Sequence, residues 1–440
     1  MRRTLFLIPH EIAGMPLFGW GWALILLAIA LSIRLAVAAK NGKPPGGVSA
    51  AVRVFRSEVW FWAITAAVVV FVLPMVELQN VDGEAIGIAI RGYGFLLLLG
   101  VVTAVAAAAY RAQSAGLNPD LIYGLAPWTF VGGILGARLF YVIQYREEYV
   151  ASTWAETLGN ALAFTGGGLV VYGGFIGGFI ASAIFLMRNR MPLLKLGDVI
   201  VPCIFIGLMF GRLGCLMNGC CYGGRCEAGP TAIEFPPGSA VYRDQMISGD
   251  LIGLTIDDQT QRIKQVASGS VADREGVRVG QKIDQLAIDP SYVDEAARDI
   301  PADQAPLGLA ASIDGKVYRW SPGELPARAL PVRGTQVISS LAAAVMAVSL
   351  WGLGAWWQRR SSYRDGGLMF VGFAGYAVVR FALEWVRVDE GGQFGTGFSI
   401  SQWVSLVVLI ASIAGLAYLW GRRPGPGLSP PGQAETPSPG

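Results

Sequence analysis

Hydrophobic and polar positions along this chain are segregated into long blocks rather than alternating with a short period. About nine runs, approximately 18–38, 58–77, 89–110, 121–145, 166–187, 198–218, 336–357, 366–387 and 402–420, are mostly apolar. Each has the roughly 20 residues that a helix needs to cross a bilayer. Gly, Ala, Ser and Thr recur within them, as expected where helices approach closely without a hydrophobic drive between them. Two stretches break the pattern. Residues 225–332 are polar, and their β-branched residues lie between turn signals, predicting short strands. The segment Pro424–Gly440 is rich in Pro, Gly and Ser and reads as a disordered end. The predicted fold class is therefore an all-α polytopic membrane protein of about nine transmembrane helices with a small β-rich insert.

Composition sharpens this picture. Apolar residues make up 53% of 440 positions, charged residues 15%, and the mean hydropathy is +0.49, against roughly 25% charged residues in soluble domains. A net charge of +3, scattered along the chain, argues against a nucleic-acid partner. The single histidine, His10, excludes an HExxH zinc protease and a Ser–His intramembrane protease. All five cysteines fall between Cys203 and Cys226. Cys203 and Cys215 read as small packing residues, whereas Cys220, Cys221 and Cys226 lie past a helix end, where a disulfide or a metal site is an alternative; the favoured expectation is no metal and no cofactor.

Basic residues set the orientation. Arg34, Lys40, Lys43, Arg53 and Arg56, then Arg188, Arg190 and Lys195, then Arg359, Arg360 and Arg364, and finally Arg422 and Arg423 all fall on one side of nine helices. That side is the cytoplasm, with the N-terminus and the insert outside; Arg2 and Arg3 are outvoted. A charged start followed by His10, Glu11 and turn residues does not read as a cleaved signal peptide. Within the insert, Gly253–Ile256, Val266–Ala272 and Gly276–Ile283 follow one another in a pattern that resembles a PDZ domain, with Gln281 where an Asp is usual. The resemblance implies a protein or peptide ligand for the insert.

Charged side chains at membrane depth cost roughly 2.5–3.5 kcal/mol on insertion scales and are functional candidates by default. Arg91 and Tyr93 open the third run, Arg138 lies in Gly136–Tyr141, and Arg212 in Gly211–Gly219. Arg380, Glu384 and Arg387 stand at i, i+4 and i+7, on one face of a helix with Tyr376 a turn earlier. A guanidinium suits bidentate phosphate recognition, so several arginines near the outer leaflet suggest a phospholipid headgroup pocket. In Thr165–Gly178, close helix packing accounts for Gly177 and Gly178, while Gly166–Gly168 and Gly173–Gly174 flank Tyr172 and suit backbone approach to a ligand.

These blocks, in this order, resemble the prolipoprotein diacylglyceryl transferase family. Its "ile-arg-x-tyr-gly" matches Ile90–Gly94, its "gly-ala-arg" Gly136–Arg138, and its glycine-flanked block Gly167–Gly177. The family signature "gly-arg-ile-gly-x-phe-x-asn-gly" matches Gly211–Gly219, "arg-phe-x-x-glu-x-x-arg" matches Arg380–Arg387, and "ser-x-x-gln" matches Ser399–Gln402. The resemblance implies a seven-helix core in 89–224 and 333–423, with 1–88 as a two-helix extension, 225–332 as an extracytoplasmic insert and 424–440 as a tail. It further implies a bacterial plasma-membrane enzyme that moves a diacylglyceryl group from phosphatidylglycerol to a preprolipoprotein lipobox cysteine, releasing glycerol phosphate. By the same resemblance Tyr172, Tyr93, Arg380 and Glu384 are the expected catalytic residues, and Arg212, Asn218, Arg138 and Arg387 the expected phosphatidylglycerol-binding ones. Tyr172 stands where the family commonly has His, and Arg333–Gln336 where it has "his-pro-x-gln"; a phenol with a pKa near 10 is a poor base at neutral pH. The rival reading is a membrane transporter or channel for an anionic or lipid substrate, against which the blocks occur once each, without inverted repeats.

Overall fold

A computed structural model describes residues 4–40, 50–80, 83–146, 153, 157, 159–160, 168, 170–257, 259–289, 291, 307–387 and 395–421. The expected tail, Pro424–Gly440, lies outside the described residues. The chain divides into two compact units, Met1–Phe95 with Gly214–Gly334, and Leu96–Leu213 with Thr335–Gly440.

In the first unit, β1 (Thr4–Pro9), β2 (Glu11–Ile12) and β3 (Met15–Pro16) precede α1 (Trp22–Lys40) and α2 (Ala50–Ala67). A π-helical stretch, Val68–Val72, leads into α3 (Leu73–Val76), then β4 (Leu78–Gln79) and β5 (Ala85–Arg91). β5 pairs antiparallel with β1 and β4 in the order β1-β5-β4. Ile90 and Arg91 therefore end a strand, Arg91 opposite Thr4, instead of opening the third span as expected. The span α4 (Gly92–Ser114) begins one residue later, so the strand keeps that arginine out of the apolar run.

The second unit holds most of the remaining apolar helices: α5 (Asp120–Gln144), α6 (Val171–Arg188), α7 (Leu193–Asn218), α10 (Thr335–Trp357), α11 (Gly367–Glu384) and α12 (Ile400–Gly421). Among the described residues eight helices are long and apolar enough to cross a membrane, and the apolar stretch Gly173–Arg188 of α6 is shorter. Large apolar side chains such as Trp60, Phe71, Phe179, Val348 and Trp420 stand exposed on their helices; helices that are apolar all round belong in lipid. α5 and α6 cross on glycines: a Cβ on Gly136 would overlap the Gly173 carbonyl, and one on Gly177 would overlap that of Gly132. Thr129 Oγ1 and Ser182 Oγ, 2.8 Å apart, join the same two helices. Gly173 is thus a packing glycine, correcting its reading as a ligand approach.

The polar segment between α7 and α10 carries β6 (Ala232–Ile233), α8 (Ala240–Ile247), β7 (Leu254–Asp257), β8 (Arg262–Val266), α9 (Val271–Arg274), β9 (Ile283–Asp289), β10 (Gly308–Ile313), β11 (Lys316–Trp320) and β12 (Val332–Arg333). β7 and β8 form a hairpin, and β9 to β11 a three-stranded antiparallel sheet in the order β11-β10-β9. The core buries Phe235, Ile252, Leu254, Ile263, Leu309, Ile313 and Trp320. Ser270 caps α9 through its Oγ, which accepts the Asp273 N–H at 3.2 Å. Gln281 Oε1 accepts the Arg278 N–H at 2.7 Å in the turn that enters β9. β6 and β12 pair at Ile233 and Val332 and close the segment at its base.

Candidate functional site

The second unit carries Arg212, Arg380 and Glu384 on its apolar helices. Arg380 and Glu384 sit one turn apart on α11; Arg380 Nη1 donates to Glu384 Oε2, and Arg380 Nη2 donates to Ser401 Oγ at 2.7 Å. Glu384 is buried. Ser401 is held in place by a reciprocal cap at the start of α12. The Ser399 N–H donates to Gln402 Oε1 at 3.0 Å, and the Gln402 N–H donates to Ser399 Oγ at 3.3 Å. This is a capping box, which gives the "ser-x-x-gln" block its local reason. The helix ends at Glu384. Arg387 follows it in a tight turn, its N–H donating to the Glu384 carbonyl at 3.1 Å. Arg380 and Glu384 thus meet as the expected i, i+4 pair, and Arg387 lies in the turn that follows the helix.

Arg212, from α7, lines one cavity together with Arg380 and Tyr376 of α11 and Ser339 of α10. The other lining side chains, including Phe205, Leu208 and Leu383, are apolar. Two arginines from separate helices thus border one otherwise largely apolar cavity. α4 and α7 approach closely at Gly100, where a Cβ would meet Phe210 at 2.8 Å.

Arg138 is buried elsewhere in this unit. Its Nη1 donates to the Gly168 carbonyl at 3.1 Å and its Nη2 to the Asn160 carbonyl at 2.9 Å. Gly168 adopts φ +78°, and a Cβ there would overlap the Tyr141 ring and Arg138 itself. Gly166 and Gly167 lie outside the described residues, as does the side chain of Tyr172, whose backbone belongs to the first turn of α6.

In the first unit, Tyr93 packs on the signature block. A Cβ on Gly214 would meet its Cδ2 at 3.1 Å, and one on Gly92 would meet the end of Met217 at 3.1 Å. Tyr93 is 39% exposed. Asn218 is the last residue of α7, ahead of Gly219 with φ +72°. The Gly219 N–H donates to the Leu216 carbonyl at 3.3 Å and the Cys220 N–H to the Cys215 carbonyl at 3.1 Å. That pair of bonds is a Schellman termination. A side chain on Gly219 would strike Ser239 and Phe235, so glycine is required there by space as well as by φ.

One polar centre was missed by the sequence reading. Asp198, fully buried on α7, accepts from Tyr363 Oη at 2.6 Å, from the Gly366 N–H at 2.7 Å and from the Met369 N–H at 2.7 Å. Arg111 of α4 donates to the carbonyls of Asp198 and Val199 and lies 4.9 Å from the Trp351 ring centroid. Burial, with the Asp198 and Asp365 carboxylates nearby, pushes the Tyr363 phenol far above its ordinary value, so it remains a donor. A lone Asp inside an apolar run was the available signal.

Comparison with known proteins bears on what this site handles. The model of the family described as prolipoprotein diacylglyceryl transferase matches residues 84–418. A phosphatidylglycerol–prolipoprotein diacylglyceryl transferase of Rhodopirellula baltica is 48% identical over 448 residues, covering 96% of this chain and 89% of that protein. A protein named phosphatidylglycerol–prolipoprotein diacylglyceryl transferase 2, from Clostridium perfringens, is 32% identical over 179 residues, covering 39% of this chain and 67% of its own length. A Clostridium tetani relative is 35% identical over 140 residues, covering 32% of this chain and 54% of its own.

Proposed function

The chain belongs to the prolipoprotein diacylglyceryl transferase family, and from that premise we propose how its own residues carry out the transfer of a diacylglyceryl group from phosphatidylglycerol to a prolipoprotein. The observation that carries the reading is that Arg212 and Arg380, from separate helices, line the same largely apolar cavity. In the reaction a cysteine thiolate attacks the carbon of the diacylglyceryl moiety that bears the phosphate oxygen. A thioether forms, the carbon–oxygen bond breaks, and glycerol phosphate leaves with the electron pair. The thiol, with an ordinary pKa near 8.5, must first lose its proton. The growing charge on the phosphate must be met by cations already in place.

Arg212 is assigned to the phosphate, with Arg380 beside it. Glu384 and Ser401 orient the Arg380 fork, and both their bonds to it support that role. Asn218 is assigned to the glycerol and Tyr93, with its exposed ring, to the reacting region. Arg387, past the end of α11, is assigned to the headgroup. Arg138, engaged on two backbone carbonyls, is reassigned from a direct lipid contact to holding the Gly168 backbone ahead of Tyr172. Tyr172 is assigned a hydrogen-bonding role in place of the family's usual histidine.

About nine spans, an outside N-terminus and a cytoplasmic C-terminus in a bacterial plasma membrane complete the reading. The core is 89–224 with 333–423, 1–88 is an extension, and 225–332 is an outside PDZ-like domain with a peptide or protein ligand. The capped turn before α9 and the Gln281 turn before β9 support the PDZ-like reading.

The test mixes purified protein, phosphatidylglycerol and a lipobox peptide, and follows the lipidated product by thin-layer chromatography. Arg212→Ala is expected to abolish transfer while the protein still inserts and purifies. Arg212→Lys restores only part of it, because a point charge lacks the bidentate fork. Near-normal turnover in the alanine variant removes Arg212 from the site.

A further inference from the structure

The sulfur atoms of Cys215, Cys220 and Cys221 all lie within 4.8 Å of one another, and all three residues are half-buried. Sequence alone grouped Cys220 and Cys221 with Cys226 and treated Cys215 as packing. The fold regroups them, and the reason is local. In a Schellman termination the third residue from the helix end meets the second residue beyond it, usually through an apolar contact. Here those two positions are Cys215 and Cys220, so the termination itself brings two thiols together. Cys220 Sγ also lies 3.8 Å from the Cys215 carbonyl oxygen.

The third thiol is placed by an unusual backbone. Cys221 has φ +57°, a left-handed conformation that costs a non-glycine residue about 1–2 kcal/mol. Such residues concentrate at sites where the surroundings hold them in place. A disulfide would use two of the three sulfurs and would give no reason for the third. Three thiolates around one ion would.

We propose that Cys215, Cys220 and Cys221 bind one thiophilic divalent cation of the zinc class, clipping the loop after α7 to the end of that helix. With zinc–sulfur bonds of about 2.3 Å, thiolates on one ion stand about 3.8–4.0 Å apart in tetrahedral or trigonal geometry. A triangle with no side above 4.8 Å reaches that spacing by small side-chain rotations. Binding releases the protons of the thiols that ligate, and three protein ligands leave a fourth position for water. Cys203 lies twelve residues earlier, buried and hydrogen-bonded to the Val199 carbonyl. Neither it nor Cys226 belongs to the cluster.

The experiment uses the full chain in detergent, reduced and stripped with a chelator that is then removed, titrated with cadmium chloride alone. The expected result is a sulfur-to-cadmium charge-transfer band that saturates at one ion per chain. Cys221→Ser and Cys220→Ser each weaken binding by about 100-fold or more, while Cys203→Ser and Cys226→Ser leave it unchanged. Cys221→Ser alters only a loop thiol, and its thermal unfolding without metal should match wild type, which separates loss of a ligand from loss of fold. Two results overturn the site: no thiolate band in the reduced wild-type protein, or a band that persists undiminished in Cys221→Ser. A chain with a disulfide among these three cysteines that takes up no cadmium after reduction overturns it in favour of a redox pair.

Discussion

Glu384 is a buried carboxylate whose partner, Arg380, stands one helical turn away and also holds Ser401. Removing one member of a buried ion pair leaves the other desolvated and unpaired, at a cost of about 3–5 kcal/mol. Glu384→Ala should therefore lower both the melting temperature in detergent and lipid transfer. Ser401→Ala, which removes one hydrogen bond to a charged group, should cost about 1.5–3 kcal/mol and leave measurable turnover. Equal losses in the two variants, read by thermal unfolding and initial rate, would contradict this ranking. At Tyr172, Phe keeps the ring and deletes the hydroxyl. A rate fall of about tenfold or more, roughly 1.4 kcal/mol in barrier, with unchanged melting is expected from the hydrogen-bonding role. Turnover like wild type in Tyr172→Phe would make the position structural. The Arg380–Glu384 pair was legible because i, i+4 neighbours meet on any helix. Ser401 was not, because it arrives from another helix.

At the scale of elements, helix ends explain much of what the motif blocks contain. Ser399 and Gln402 start α12 as a capping box, and Gly219 stops α7 in a left-handed conformation. α11 begins under Asp198, whose carboxylate takes the Gly366 and Met369 N–H groups and the Tyr363 hydroxyl. Asp198→Ala would leave three donors buried without that acceptor, each at about 1–3 kcal/mol. The expected outcome is a large drop in melting temperature or loss of purifiable protein, with Asp198→Asn intermediate because one acceptor oxygen remains. Near-wild-type melting of Asp198→Ala would show that this cap carries little. The glycine crossing of α5 and α6 was half legible: small residues predicted a close approach, but only the structure showed that Gly173 meets Gly136.

For the whole molecule, the distribution of basic residues predicts which side each loop occupies. A cysteine introduced at Asp257 should react with an impermeant maleimide added outside intact cells, and one at Lys43 should not. The opposite labelling pattern would overturn the orientation and the nine-span reading. The membrane class, the limits of most spans to within a few residues, and the polar insert were set by the sequence alone, because a 20-residue apolar run has no stable place but lipid. The charged residues inside those runs are site candidates for a related reason, the cost of a charge at membrane depth. Tertiary structure decided what depends on partners distant in sequence. It moved Arg91 into a strand opposite Thr4, and it ended α11 before Arg387. It turned Arg138 toward two backbone carbonyls, placed Arg212 beside Arg380 in one cavity, and gathered Cys215 with Cys220 and Cys221. Strand pairing, helix crossing and the exact residue where a helix stops are long-range or cap-dependent outcomes, and hydropathy along one chain carries no record of which neighbour will arrive.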